Sequence, residues 1–361
     1  MHPLALRRRR SPHRSLVSFA AVALAVTACG SGANAPASGS PVAVAGAPSP
    51  TQAASATVAA SESNAPSPPP SLAPLAVLWQ GSGPVSDTTS TQAIAVDPTT
   101  DEVWVSLPFE NLFWIFTSEG EYLESWGTGG TGPGQFDLND HLANPDGFGA
   151  LAFAPDGSFY VGDVGNNRVQ KFDAERQFVK AWGTFGAGDG QFSAITALAT
   201  DGMSVYIGDG GRGDIQAFDS NGTYLRTFGA GGSLGPFIAV DQAGNLFATN
   251  PGAGAPAVVK FDSSGEEVAR FDASWIGGEP VGVAVDPQGH IFLGVGESDS
   301  PYESIGTYEL GPDGQVIRGW SIGGGEALAL SQAGDVLFVS RGIQLSTGPW
   351  PYIQAYAVPG G

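Results

Sequence analysis

Two stretches of the chain are near copies of one another. SFYVGDVGNNRVQKFDAERQFVKAWG runs from Ser158 to Gly183, and SVYIGDGGRGDIQAFDSNGTYLRTFG from Ser204 to Gly229. Self-similarity at a period of roughly 40–50 residues marks stacked or radially arranged units. Each copy is a series of short apolar or alternating runs: FYVGD, RVQKFD and FVKAWG in the first, with GALAFAPDG ahead of them. Gly, Asp, Asn and Pro bound the runs, the pattern of strands joined by turns. Four strands per unit predict a propeller blade.

The pattern recurs six times. The first strand reads AIAVD, ALAFA, ALATD, IAVD, GVAVD and ALALS, with an alanine at one fixed place: Ala95, Ala152, Ala199, Ala239, Ala284 and Ala329. The second strand carries an aromatic: Trp104, Tyr160, Tyr206, Phe247, Phe292 and Phe338. The third ends on Phe116, Phe172, Phe218, Phe261, Leu310 and Tyr356. Small residues near the axis and large ones between blades suit sheets packed face to face. The fourth-strand aromatic occurs only five times, at Trp126, Trp182, Phe228, Phe271 and Trp320. The last repeat stops after its third strand, while LAVLWQGSG near Trp79 lies unassigned ahead of the first. The expectation is an all-β, six-bladed propeller of four-stranded blades, its last blade closed by the N-terminal strand so that the ring has no free edge.

The segments GPGQFDLNDHLANPDGFGALAFAPDGSFYVGDVGNNRVQKFDAERQFVKAWG and GDGQFSAITALATDGMSVYIGDGGRGDIQAFDSNGTYLRTFG resemble the NHL-repeat family of β-propellers. The GQF lead-in, the Asp–Asn–Arg centre and the closing aromatic-Gly carry the resemblance. It implies the fold and leaves the activity open, because propellers host many functions.

Ahead of the repeats the chain changes character. Five of its 15 basic residues lie between Arg7 and Arg14, before the apolar run LVSFAAVALAV. That run has the build of a signal peptide rather than a membrane span. It leads into VTACG, which resembles a bacterial lipobox, and Cys29 is the only cysteine. Residues 1–28 therefore read as a lipoprotein signal peptide, Cys29 as the lipidation site and 29–71 as a disordered Ala/Ser/Pro-rich tether. Residues 72–361 read as the propeller. The expected location is the extracytoplasmic face of a bacterial membrane, reached through the lipid alone. Acidic residues outnumber basic ones 35 to 15, which argues against a nucleic-acid partner.

The turns joining strands one and two are short, as in PDGS and DPQGH, and read as turn chemistry with no function; His290 falls in one as a solvated residue. The opposite face collects the loops between strands two and three. Asp163, Asn167, Arg168, Asp209, Arg212, Asp214, Asn250, Glu297 and Asp299 are its candidate ligand-binding polar residues, with Tyr302, Trp350 and Tyr352 as aromatics suited to peptide or sugar. In NHL-like blades the same Asp, Asn and Arg also brace the turn itself.

Catalytic patterns are poor. Beyond the leader the histidines are His141 and His290, too few for a typical zinc set, and no GxSxG elbow is present. No catalytic residue is assigned. A calcium or other hard-cation site of Asp, Asn, Glu and carbonyl oxygens suits the acidity, and lactonase-type six-bladed propellers use one. The favoured reading is a binding or scaffold propeller for a protein, peptide or glycan partner. The alternative is a cation-dependent hydrolase or lyase with a metal at the channel mouth.

Overall fold

The structure is a computed structural model and describes residues 76–81, 93–139, 150–229, 237–250, 257–273, 275, 278–297, 300–322, 327–340 and 353–360. The signal peptide, Cys29 and the tether lie outside the described residues.

Among the described residues, twenty-four strands form six four-stranded antiparallel sheets. The first blade holds β2 (Ile94–Val96), β3 (Val103–Leu107), β4 (Leu112–Phe116) and β5 (Tyr122–Trp126). The second holds β6 (Leu151–Phe153), β7 (Phe159–Asp163), β8 (Arg168–Phe172) and β9 (Phe178–Trp182). The third holds β10 (Ile195–Thr200), β11 (Ser204–Asp209), β12 (Asp214–Asp219) and β13 (Tyr224–Phe228). The fourth holds β14 (Ile238–Val240), β15 (Leu246–Asn250), β16 (Ala257–Phe261) and β17 (Glu267–Asp272). The fifth holds β18 (Glu279–Val285), β19 (Ile291–Glu297), β20 (Ser300–Leu310) and β21 (Val316–Trp320). The sixth combines β22 (Ala327–Leu330), β23 (Val336–Ser340) and β24 (Ile353–Ala357) with β1 (Val77–Gly81), which pairs antiparallel to β24. Inner strands contact their neighbours in the cycle β2, β6, β10, β14, β18, β22 and back to β2. The chain is thus a closed six-bladed propeller, as the repeats predict.

Register explains why the repeated residue types recur. In every blade the first-strand alanine lies directly opposite the second-strand aromatic, from Ala95 and Trp104 to Ala329 and Phe338. Paired residues share one face of a sheet, so the small alanine leaves room for the ring. The third-strand residue pairs with the position before that aromatic, as Phe116 does with Val103. It therefore points to the other face. Each blade presents large side chains to both neighbours, and the buried apolar residues fall into six clusters, one per interface. Between the first two blades, Trp104 lies 5.2 Å from Phe159 and Trp126 lies 5.0 Å from Phe172, ring centre to ring centre.

The closing strand departs from the repeat in one respect. Trp126 pairs with Phe113, whereas Trp79 pairs with Ala355 and Gly81 takes the place equivalent to Trp126. Trp79 thus stands two residues early, on the same face by the period of two. It still fills the last interface, 6.5 Å from Phe116 and 5.9 Å from Phe338, and its Nε1 donates to Ser118 O at 2.7 Å.

All six outer strands also carry a register shift near their start. The residue it leaves unpaired is an exposed aliphatic in each: Leu78, Leu123, Val179, Leu225, Val268 and Ile317. Bulges of this kind twist an edge strand and limit its pairing with another sheet.

Candidate functional site

The loops between strands two and three do share a face with the loops arriving from the preceding blade, and the two sets are bonded together. Asp163, at the end of β7, is fully buried. Its Oδ1 accepts from Asp137 N at 2.7 Å and Asn166 Nδ2 at 2.8 Å. Its Oδ2 accepts from Arg168 Nε at 2.6 Å and Gln170 Nε2 at 2.9 Å. Arg168 Nη2 reaches on to Gly132 O and Gln135 O in the arriving loop. Burial raises the Asp163 carboxyl above its usual range, against the donors from Asp137 and Arg168 that lower it. Asn167 adopts φ 53° and bonds Gly165 O, a turn residue in the left-handed region that Asn tolerates.

The third blade repeats the arrangement with different partners. Asp209 Oδ1 accepts from Ser193 Oγ, Ala194 N, Gly211 N and Arg212 N, and its Oδ2 from Ser193 N. Arg212 pairs with Asp214 at 2.8 Å and donates to Ala187 O and Gly188 O. The sequence candidates Asp163, Asn167 and Arg168 are therefore brought together, as are Asp209, Arg212 and Asp214, each set as an internal brace. The side chains of Asn250, Glu297 and Tyr302, and Asp299, Trp350, Tyr352 and His141 entirely, lie outside the described residues.

The lead-in loops are shaped for this bracing. Phe136 and Phe192 of the two GQF runs are fully buried. Gln135 and Gln191 fold back onto Gly132 N and Gly188 N. A Cβ at Gly130 or Gly186 would collide with those amides, and both glycines have positive φ.

On the opposite face the structure holds a feature that the sequence reading passed over. A cavity of about 420 Å³ is lined by Val96, Phe153, Thr200, Val240, Val285 and Leu330, the residues that follow the six alanines. All six inner strands contribute, which places it at the mouth of the central channel. These side chains are half-buried. Two residues earlier, on the same side of each strand, Ile94, Leu151, Leu198, Ile238, Val283 and Leu328 are buried in the six inter-blade clusters. The signal was present in the sequence as five apolar residues in six at one repeat position. The rim carries Pro98, Pro155, Pro287, Asp241, Asp286, Gln242, Ser331 and Gln332. Beside it His290, expected to be solvated, is half-buried, with Nδ1 2.8 Å from Asp286 Oδ2.

Among the described residues, no group of three or more His, Cys, Asp or Glu is placed to hold a metal ion. No helix of the described residues is long and apolar enough to cross a membrane.

Comparison with known proteins agrees with the fold. The NHL repeat model matches residues 150–172, the span of β6 to β8. The chain is a six-bladed β-propeller that carries an NHL repeat. This propeller is similar to a gluconolactonase from Xanthomonas campestris, with 17% identity over 78% of this chain and 88% of that one, at a TM-score of 0.55. It is also similar to the WD40 repeats of RRP9, with 13% identity over 81% of this chain and 99% of that one, at a TM-score of 0.50. At such identities the likeness is one of fold. Among curated proteins, no match is found.

Proposed function

We propose that this propeller is a binding module for a protein or peptide partner, held on the extracytoplasmic face of a bacterial membrane by lipid on Cys29. The observation that supports it is the bracing of the loop face. Asp163 and Asp209 accept four and five hydrogen bonds from within the loops. Loops so fixed present a rigid surface, and rigidity lowers the entropic cost of binding. A hydrolase with a cation at the channel mouth needs carboxylates free to ligate, and these two are engaged elsewhere.

The test is photo-crosslinking in cells that make the full chain, with a benzoylphenylalanine at Phe185 on the loop face or at Met203 on the turn face, both strongly exposed. A discrete protein adduct at either position is expected. Chelator-sensitive hydrolysis of gluconolactone by the purified chain, with no adduct, would replace this reading with the hydrolase.

A further inference from the structure

We infer that the axial cavity on the turn face is a socket for a cationic apolar peptide, in which an aliphatic or aromatic side chain enters the channel and a flanking Lys or Arg meets the rim. The inference rests on the reading of the propeller as a binding module and assigns its site.

The cavity itself carries the inference. Its volume of about 420 Å³ falls within the range of pockets that bury a ligand. Six strands from six blades supply one side chain each, and Thr200 is the one polar member of the ring. Such a near-sixfold wall offers few directed hydrogen-bond groups. It therefore selects an occupant by apolarity and size rather than by shape. Half-exposed Val, Leu and Phe at one point of convergence also gain by being covered, at about 25 cal/mol per Å².

Charge decides which apolar group enters. Asp97, Asp201, Asp241 and Asp286 follow the ring residue in four of the six blades. Asp241 and Asp286 line the cavity, and its described lining holds no Lys or Arg. The partners of Asp97 are Thr99 N and Thr99 Oγ1, and those of Asp241 are Ala243 N, Asn245 N and Asn245 Nδ2. These donors are uncharged, so Asp241 keeps its negative charge at the rim, while Asp286 accepts from Gln288 N and His290 N and lies 2.8 Å from the His290 ring. An apolar wall lowers the local dielectric and strengthens the field of such a rim. Cations are drawn in and anionic groups turned away.

The experiment uses the purified full chain in detergent and three probes: acetyl-Lys-Leu-Phe-Lys-amide, acetyl-Glu-Leu-Phe-Glu-amide and acetyl-Lys-Gly-Gly-Lys-amide, titrated by calorimetry. The first is expected to bind at least about tenfold more tightly than either other, and more weakly as salt rises. Val240→Trp fills the socket from a half-buried position that also packs on an inter-blade cluster, and should weaken the first probe about tenfold, measured below a thermal midpoint that overpacking lowers. Thr200→Arg, which places a cation in the ring, should weaken it likewise, with a lower thermal midpoint because the Thr200 hydroxyl bonds Ser204 O and Gly202 N. Binding that ignores both variants, or that ignores peptide charge, overturns the socket, as does no binding by the first probe. Cross-linked adducts that persist in Val240→Trp would leave the binding module standing with its site elsewhere.

Discussion

Arg168 Nε donates to Asp163 Oδ2 across 2.6 Å, joining the two ends of the loop between β7 and β8, and the same guanidinium holds two carbonyls of the loop arriving from the first blade. The pair is a clasp between blades. Replacing Asp163 with Ala removes one hydrogen-bond acceptor each from Arg168 Nε, Gln170 Nε2, Asn166 Nδ2 and Asp137 N. We expect a loss of about 3–5 kcal/mol in urea unfolding. A fully stable Asp163→Ala that loses only ligand affinity would instead make Asp163 a binding residue.

Trp79 and Trp182 form a natural comparison of indole N–H groups. Trp79 Nε1 bonds Ser118 O, whereas Trp182 Nε1 is buried with no partner among the described residues. Trp79→Phe is expected to cost about 1 kcal/mol more than Trp182→Phe, read as the difference in unfolding free energy. Trp79→Ala should cost about 2–3 kcal/mol and loosen β1, exposing the edge of β24 to aggregation.

Gly314 and Gly360 have nearly the same φ, +79° and +81°. A Cβ at Gly314 would collide with Cδ1 of the Phe271 ring of the preceding blade, while at Gly360 it meets nothing within 4 Å. Gly360→Ala should cost only the backbone strain of about 1 kcal/mol. Gly314→Ala should cost that plus overpacking, about 2–4 kcal/mol in all. Thermal midpoints of the two variants check the order.

Acid should weaken the turns. Hydrogen bonds from Ser158 hold the Asp156 carboxyl below its usual 3.8, Thr223 does so for Asp219, and Ser264 for Asp262. Their stabilisation is present above the unfolded pKa and is lost as pH falls through the lower folded values. Asp163, raised by burial, contributes with the opposite sign. Asp219→Asn and Asp262→Asn should each flatten the decline in stability below about pH 4, followed by circular dichroism at fixed urea.

The proposed lipid on Cys29 predicts that Cys29→Ser moves the protein from the membrane fraction to the soluble fraction and lowers its mass by that of a diacylglyceryl group. A single acyl anchor binds only marginally and a diacyl one stably, so the shift should be nearly complete.

Blade number, strand order and the residue types between blades were legible in the sequence. They depend on the period of two along a strand and on a repeat that returns Ala, aromatic and aromatic to the same places. Trp79 was legible as the closing residue, although its register was not. Every outer strand carries the same bulge, so what sets Trp79 apart is its place two residues earlier along β1, and that register is settled only by pairing with the distant β24. That the Asp163 loop braces itself was legible through the family resemblance; tertiary structure alone showed how far the bracing of Asp163 and Asp209 reaches, to N–H groups up to 26 residues away. It also decided the axial socket. Val96 and Leu330 are ordinary strand residues at opposite ends of the propeller sequence, and only closure of the ring turns six such positions toward one axis. Local patterning wrote the blades; the convergence of all six upon the axis made the site.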